Sequence, residues 1–187
     1  GANPLRTALL LLPDDATAQD AFDQLSGEIH PAVRRAMADD SRLFRDAVLD
    51  RLSDEQADGT VWGRALVNER NTDGDGNAAK AEHDVRGLIF GVDRAVTDSL
   101  TVGVAGGWFR TDLDILRRNS TATTESREVH AYLGGRMDHW RFRAGAGYAM
   151  TSTGTRRQIA FQGFSALPRA AYDGSVLQVF AETGYRV

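Results

Sequence analysis

The chain has 187 residues, enough for one domain of ordinary size, and its 22 basic and 26 acidic side chains give a net charge of −4. That balance offers no electrostatic case for nucleic-acid binding, and the absence of cysteine excludes disulfides and thiolate metal sites. No run approaches the ~20 apolar residues of a membrane-crossing helix, yet a mean hydropathy of −0.36 does not exclude a membrane β-barrel, whose strands alternate lipid-facing and lumen-facing residues and dilute the apolar signal.

Composition shifts along the chain. Only Gly1 and Gly27 precede Gly59, only Phe22 and Phe44 among the aromatics precede Trp62, and no proline lies between Pro31 and Pro168. The first third is helix-like and the rest strand-like, with a boundary near Ser53–Gly59. Lys80 is the only lysine.

Residues 1–15 form a lead-in punctuated by Pro4 and Pro13, with a turn at Asp14-Asp15 and no visible helix cap. Gln19–Glu28 is a short helix candidate. Thr17 and Asp20 make a capping-box-like pair, and Phe22, Leu25 and Ile29 an apolar stripe. Pro31 disfavours helical geometry at His30, which predicts a break there, and Pro31 suits the first position of a new helix. That second helix, Pro31–Leu52, would be about 22 residues or roughly 33 Å long. Val33, Met37, Phe44, Val48 and Leu52 are its apolar members; Arg34, Arg35, Arg42, Arg45, Asp46, Asp50 and Arg51 are charged. Arg42 and Asp46 are spaced to pair, and Asp40 or Ser41 could start a separate helix. Taken alone, this helix fits an amphipathic element packed on a soluble sheet better than a plug.

From Thr60 the period becomes two. Six strands are expected: Val61–Arg70, Asp84–Val96, Leu100–Asp112, Glu125–Met137, Trp140–Thr153 and Ser175–Val187. Leu100, Val102, Val104 and Trp108 share one face against Thr101, Gly103, Ala105 and Gly107. Phe142, Ala144, Ala146, Tyr148 and Met150 oppose Arg141, Arg143, Gly145 and Gly147. One face is thus apolar with aromatic ends; the other is rich in glycine, arginine and glutamate. A soluble antiparallel sheet also alternates. These strands, however, are near ~12 residues against a usual ~5–6. Tight turns at 97–99 and 138–139 alternate with long polar connections at 72–83, 113–124 and 154–174, as in outer-membrane barrels. Trp140 and Tyr148 lie on one face, separated by roughly 20 Å of height at a 45° tilt, near the ~25 Å band between aromatic girdles.

In chain order, DQLSGEIHPAVRRAMADDSRLFRDAVLDRL, VWGRALVNERNTDGDGNAA, LTVGVAGGWFRTDLDI, RFRAGAGYAM and VFAETGYRV resemble the translocator β-domain of type V secretion autotransporters, from about Asp23 to Val187. The resemblance implies an all-β, antiparallel transmembrane barrel in the outer membrane of a Gram-negative bacterium, preceded by an α-helical linker that threads its lumen. It implies export and surface anchoring of an N-terminal passenger, with the chain itself not an enzyme and needing no cofactor. Implied partners are outer-membrane lipid, the chain's own passenger, the barrel-assembly machinery and periplasmic chaperones; a monomer is expected. The domain division expected is 1–18 passenger tail, 19–58 lumenal helical linker, 59–187 first half of the barrel. Six strands where the family has twelve would leave open edges, intolerable in lipid, so an incomplete barrel is expected.

Asn71, Asp73, Asp75, Gly76 and Glu82 match the calcium-loop spacing with asparagine in first place, but the flanks are strands and a polar surface hairpin accounts for the same residues. His30, His83, His130 and His139 are scattered, with no metal-ligand spacing, and no G-x-S-x-G is present. Arg136, Arg141, Arg143, Glu182 and Arg186 are expected in the lumen, facing Asp39, Asp46 and Asp50 of the helix or each other, and glycines on that face are expected to make room for the helix. The helix lacks asparagine, so no self-cleavage is expected. Another outer-membrane barrel with a helical plug, used as a channel or adhesin, and a soluble α+β binding module remain alternatives.

Overall fold

A computed structural model describes residues 3–53, 61–73, 79–116 and 118–186. Three helices come first. α1 (Pro4–Leu10) lies within the expected lead-in. Asn3 caps it by accepting from the Leu5 N–H at 3.0 Å, and Pro4 stands where a missing N–H costs nothing. α2 (Asp15–Leu25) starts earlier than Gln19, because Asp14 rather than Thr17 is the cap: its carboxylate accepts from Thr17 N at 2.8 Å. The turn expected at Asp14-Asp15 is thus a helix start.

α3 (Ile29–Arg51) includes both His30 and Pro31. The break expected at His30 lies instead at residues 26–28. Pro31 is the third helical residue, inside the turn whose N–H groups have no helical acceptor, so the ring removes no bond there. No second helix starts at Asp40 or Ser41; Ser41 Oγ folds back onto Ala38 O at 2.9 Å, satisfied within the helix.

The strands are β1 (Val61–Thr72), β2 (Ala81–Thr97), β3 (Leu100–Ile115), β4 (Ser120–Met137), β5 (Trp140–Arg157), β6 (Ile159–Phe161), β7 (Phe164–Ala166) and β8 (Arg169–Tyr185). Six form one antiparallel sheet in the order β1-β2-β3-β4-β5-β8, while β6 and β7 make a separate hairpin, turned by Gly163 at φ 78°. The tight turns lie at 98–99 and 138–139. Two of the three expected long polar connections are largely strand. Ser120, Ala122, Thr124 and Ser126 alternate inward along β4, and the β-branched threonines of that stretch favour extended backbone despite their polarity. β4 and β5 each have 18 residues, roughly 60 Å of strand and about 42 Å of height at a 45° tilt, more than the ~30 Å of a hydrocarbon core.

α3 packs on one face of the sheet, called inner here. Phe44, Ala47 and Val48 meet Val85, Ile89, Ala105, Phe109 and Tyr132 in one buried cluster. Ile29 and Val33 meet Leu113, Ile115 and Ala122 in a second. The outer face leaves Leu88, Phe90, Val104, Trp108, Val129, Tyr148, Leu177 and Val179 exposed. Along β3 the apolar phase changes. Val102, Val104 and Trp108 point outward, whereas beyond them Phe109, Leu113 and Ile115 point inward and Arg110, Asp112 and Asp114 outward.

Candidate functional site

The site is the contact between α3 and the inner wall. Its apolar centre is Phe44, fully buried, stacked on the His130 ring with centroids 3.9 Å apart and planes at 12°, and tilted against Phe109 at 6.1 Å. Gly107 makes this possible: a Cβ there would stand 2.8 Å from Phe44 Cε2 and 3.1 Å from Leu88 O. Gly134 clears Leu52 in the same way, at 2.9 Å from its Cδ2. Several other inner glycines make room for the wall's own rings rather than for the helix. Gly147 lies under His130, Gly103 under Tyr132 and Gly91 under Trp62, each with a would-be Cβ within 2.4 Å of the ring.

Polar groups fix the helix at several levels. Arg51, the last residue of α3, makes a two-pronged contact with Asp93 of β2 at 2.8 and 2.9 Å. Asp93 also accepts from Tyr132 Oη at 3.1 Å, and that hydroxyl accepts from Trp62 Nε1 at 2.7 Å. Mid-helix, buried Asp40 accepts from Thr111 Oγ1 at 2.6 Å and stands 3.2 Å from His83 Nε2. Asp50 and Asp39 reach Arg64 and Arg70 of β1 at 2.7 and 3.2 Å. At the 26–28 corner, Arg118 grips Asp23 and Glu28, both at 2.8 Å. Arg157 donates to the Gln24 and Ser26 carbonyls at 2.8 and 2.6 Å.

Several expected pairings differ. Arg42 pairs with Asp39 at 3.4 Å, not with Asp46, which is held by its neighbour Arg45 at 2.7 Å. Two of the helix acids, Asp39 and Asp50, meet arginines of β1. Arg143 does reach the helix, but at its carbonyl end: it donates to Leu49 O at 2.8 Å and to Ser53 Oγ. A cation there opposes the negative pole of the helix, and Arg143 also contacts Glu182 at 2.5 Å. Arg136 and Arg141 line a cavity of about 290 Å³ beside Arg51 and Asp93 at the tight-turn end. Arg186 donates its backbone N–H to His139 O at 2.9 Å. Arg64, Arg70, Arg51, Asp93, Asp40 and His83 carry contacts that strand parity could have flagged, since each wall member among them is a charged or titratable group on the inward phase.

Asp75 and Gly76 lie outside the described residues. Asn71 and Glu82 are opposed across the β1–β2 ladder, with Lys80 Nζ 4.0 Å from Glu82. Among the described residues no three histidine or carboxylate groups are placed to hold a metal ion. Ser126, Glu128 and His130 share the inner phase of β4, but Ser126 donates to Glu128 at 3.1 Å and Glu128 meets His130 at 3.3 Å. The serine is thus hydrogen-bonded to the carboxylate and not to the imidazole, so the three do not line up as a Ser–His–carboxylate relay, and His130 seats Phe44.

The family described as autotransporter beta-domain matches residues 61–187. Two curated relatives, each named an extracellular serine protease from Serratia marcescens, are 27% and 26% identical over 193 residues. The match takes in 98% of this chain, and the chain spans 18% of each relative's length. Among solved structures, the translocator domain of autotransporter NalP from Neisseria meningitidis superposes with a TM-score of 0.70 at 16% identity, over 83% of this chain and 54% of that one. At that identity the likeness is one of fold: an antiparallel strand meander against an N-terminal helix.

Proposed function

The chain belongs to the autotransporter β-domain family, whose members are translocators of the Gram-negative outer membrane, and we propose that α3 is the lumenal plug of such a barrel, tethering a passenger at the cell surface. In this reading residues 59–187 supply barrel wall, 19–58 the helical linker and 1–18 the passenger's tail. The observation that carries it is the burial of Phe44 and Val48 against the inner wall, while the outer face keeps an exposed apolar belt of the kind a bilayer covers. α1, α2 and the β6–β7 hairpin gather at the end away from the tight turns, which supports placing that end outside and the tight turns in the periplasm. Among the described residues β1 and β8 are the edges of the sheet, and in lipid their backbone polar groups would need partners.

The barrel-assembly machinery and periplasmic chaperones are the partners such insertion calls for, and a monomer is the expected state. The curated relatives' names support a serine protease as passenger, with the chemistry belonging to the passenger rather than to this wall. The test is expression of the full-length protein in a Gram-negative host with an epitope placed before residue 1. Antibody labelling of intact cells is expected, with a heat-modifiable barrel in the outer-membrane fraction. An epitope reached only after lysis would overturn the export reading.

A further inference from the structure

Three arginines lie side by side on the outer face where the apolar belt ends. Arg86 of β2 and Arg110 of β3 are direct cross-strand partners. Arg110 opposes Glu125 of β4, which places Arg127, two residues further on, at the diagonal position. Direct partners stand about 5 Å apart at Cβ and diagonal ones about 7–8 Å. All three side chains belong to the outward, exposed phase of their strands. Like charges directly opposed across a ladder are unfavourable unless something neutralises them. Among the described residues, Arg86 and Arg127 have no ion-pair partner. Arg110 has only half-exposed ones, Asp112 at 3.3 Å and Glu125 at 3.6 Å, contacts that water screens to little net value.

Height decides what meets them. The belt begins at the Trp140–Tyr185 row, where the two rings pack edge to face at 5.0 Å. It ends at the row Leu88, Trp108, Arg127, Met150. The 10 residue steps from Trp140 to Met150 are roughly 33 Å of strand and about 23 Å of height at a 45° tilt, close to the ~25 Å apolar band of outer-membrane barrels. Along their own strands, Arg86, Arg110 and Arg127 stand 11, 10 and 10 residue steps from the tight-turn ends Thr97, Leu100 and Met137, about 23–26 Å of height at a 45° tilt, so they reach the level of lipid headgroups, with Trp108, 41% exposed, directly beneath Arg110 on β3. Asp84 and Asp112, opposed in the next row out, put carboxylates beyond them on the side of the aqueous phase. A guanidinium is the side chain best matched to phosphate oxygens.

We propose that Arg86, Arg110 and Arg127 form a binding surface for the phosphate-bearing headgroup of an outer-leaflet lipid, whose acyl chain lies along Trp108, Leu88 and Phe90. The assignment rests on the membrane placement proposed above. The headgroup phosphates relieve the Arg86–Arg110 opposition, and Trp108 supplies the apolar wall beneath.

The test inserts full-length protein into phosphatidylcholine vesicles doped with a diphosphorylated glucosamine lipid or with its dephosphorylated analogue. Lipid retained after mild detergent extraction is counted by mass spectrometry. Wild type is expected to retain the phosphorylated lipid preferentially, and the R86Q/R110Q/R127Q variant to lose about tenfold of that preference. The R86K/R110K/R127K variant should keep part of it, and Arg94→Gln, an outward arginine nearer the tight-turn end, all of it. An inserted, heat-modifiable triple variant with unchanged retention overturns the site alone. Displacement of the lipid by inorganic phosphate alone overturns the lipid assignment. Wild-type protein that stays outside the vesicles overturns the site together with the membrane reading.

Discussion

Phe44 and His130 are stacked ring on ring, 3.9 Å between centroids, in a space that exists because residue 107 has no side chain. Phe44→Ala should cost about 3–5 kcal/mol of helix docking, the range for emptying a packed aromatic site. Gly107→Val should cost about 1–3 kcal/mol from the opposite direction, by driving a branched side chain into the same volume. The checking measurement is protease accessibility of α3 in the inserted full-length protein. A helix as resistant as wild type in both variants would mean that this contact does not hold it.

Arg51 and Asp93 form an enclosed ion pair at the tight-turn end, with side chains 14% and 6% exposed. Arg51→Ala strands the Asp93 carboxylate, and breaking a buried pair from one side costs about 3–5 kcal/mol. Arg51→Met combined with Asp93→Asn should recover part of that, because neither member is then an unpaired charge. Denaturant midpoints of the detergent-folded full-length protein separate these outcomes; equal losses in the single and double variants would refute the pairing argument.

Asp46 and Asp50 should behave differently from each other. Asp46 is exposed and, among the described residues, bonds to its neighbour Arg45, so Asp46→Lys should move the heat-modifiability midpoint little. Asp50→Lys sets a cation against Arg64. Both groups are more than a third exposed, so the cost should stay below about 1 kcal/mol. A large shift from Asp46→Lys would show that it faces the wall in the assembled barrel.

The 26–28 corner is held by Arg118 and Arg157 from two different wall segments. Arg157→Ala leaves the Gln24 and Ser26 carbonyls without that donor. Amide exchange across residues 20–28 should rise while the β3–β4 ladder stays protected. Equal protection of the corner in wild type and variant would assign its rigidity to the α2 packing on β6 instead.

Asp14 titrates below the ordinary aspartate value because the Thr17 backbone N–H, and then its hydroxyl, donate to the ionised carboxylate. A depressed folded-state value means the cap's contribution is fully present above the unfolded aspartate value and is lost as pH falls through the folded one. Helicity of α2 should therefore drop on acidification, and Asp14→Ser, which caps without titrating, should remove that step. A Ser variant with the same acid transition would place its origin elsewhere.

Much of the wall was legible because a period of two is a simple signal: the inward phase of Arg143 and Gln178 and the outward phase of Val129 and Leu177 follow from alternation alone. The strand ends were not. Thr121–Thr124 is polar enough to pass for a loop, and only pairing with β5 shows it to be ladder. Helix starts were misplaced where two caps competed within a few residues, as at Asp14 and Thr17. Partner choice was the least accessible. Arg42 and Asp46 satisfy the helical spacing rule, but the geometry turns Arg42 toward Asp39, which Arg70 also reaches, and no local pattern encodes a contact across 31 residues.

The change of apolar phase in β3 acts as a depth gauge. Up to Trp108 the greasy residues face out, and from Phe109 on they face in. Shifting the strand by one residue would bury Arg110 or Asp112 on one side and strip Leu113 or Ile115 of cover on the other. Sliding the whole sheet in the direction of its tight turns would drag charged rows into hydrocarbon, and sliding it the other way would lift Trp108 into water. Vertical position is thereby written into the order of residues along a single strand, independently of whatever inserts the protein.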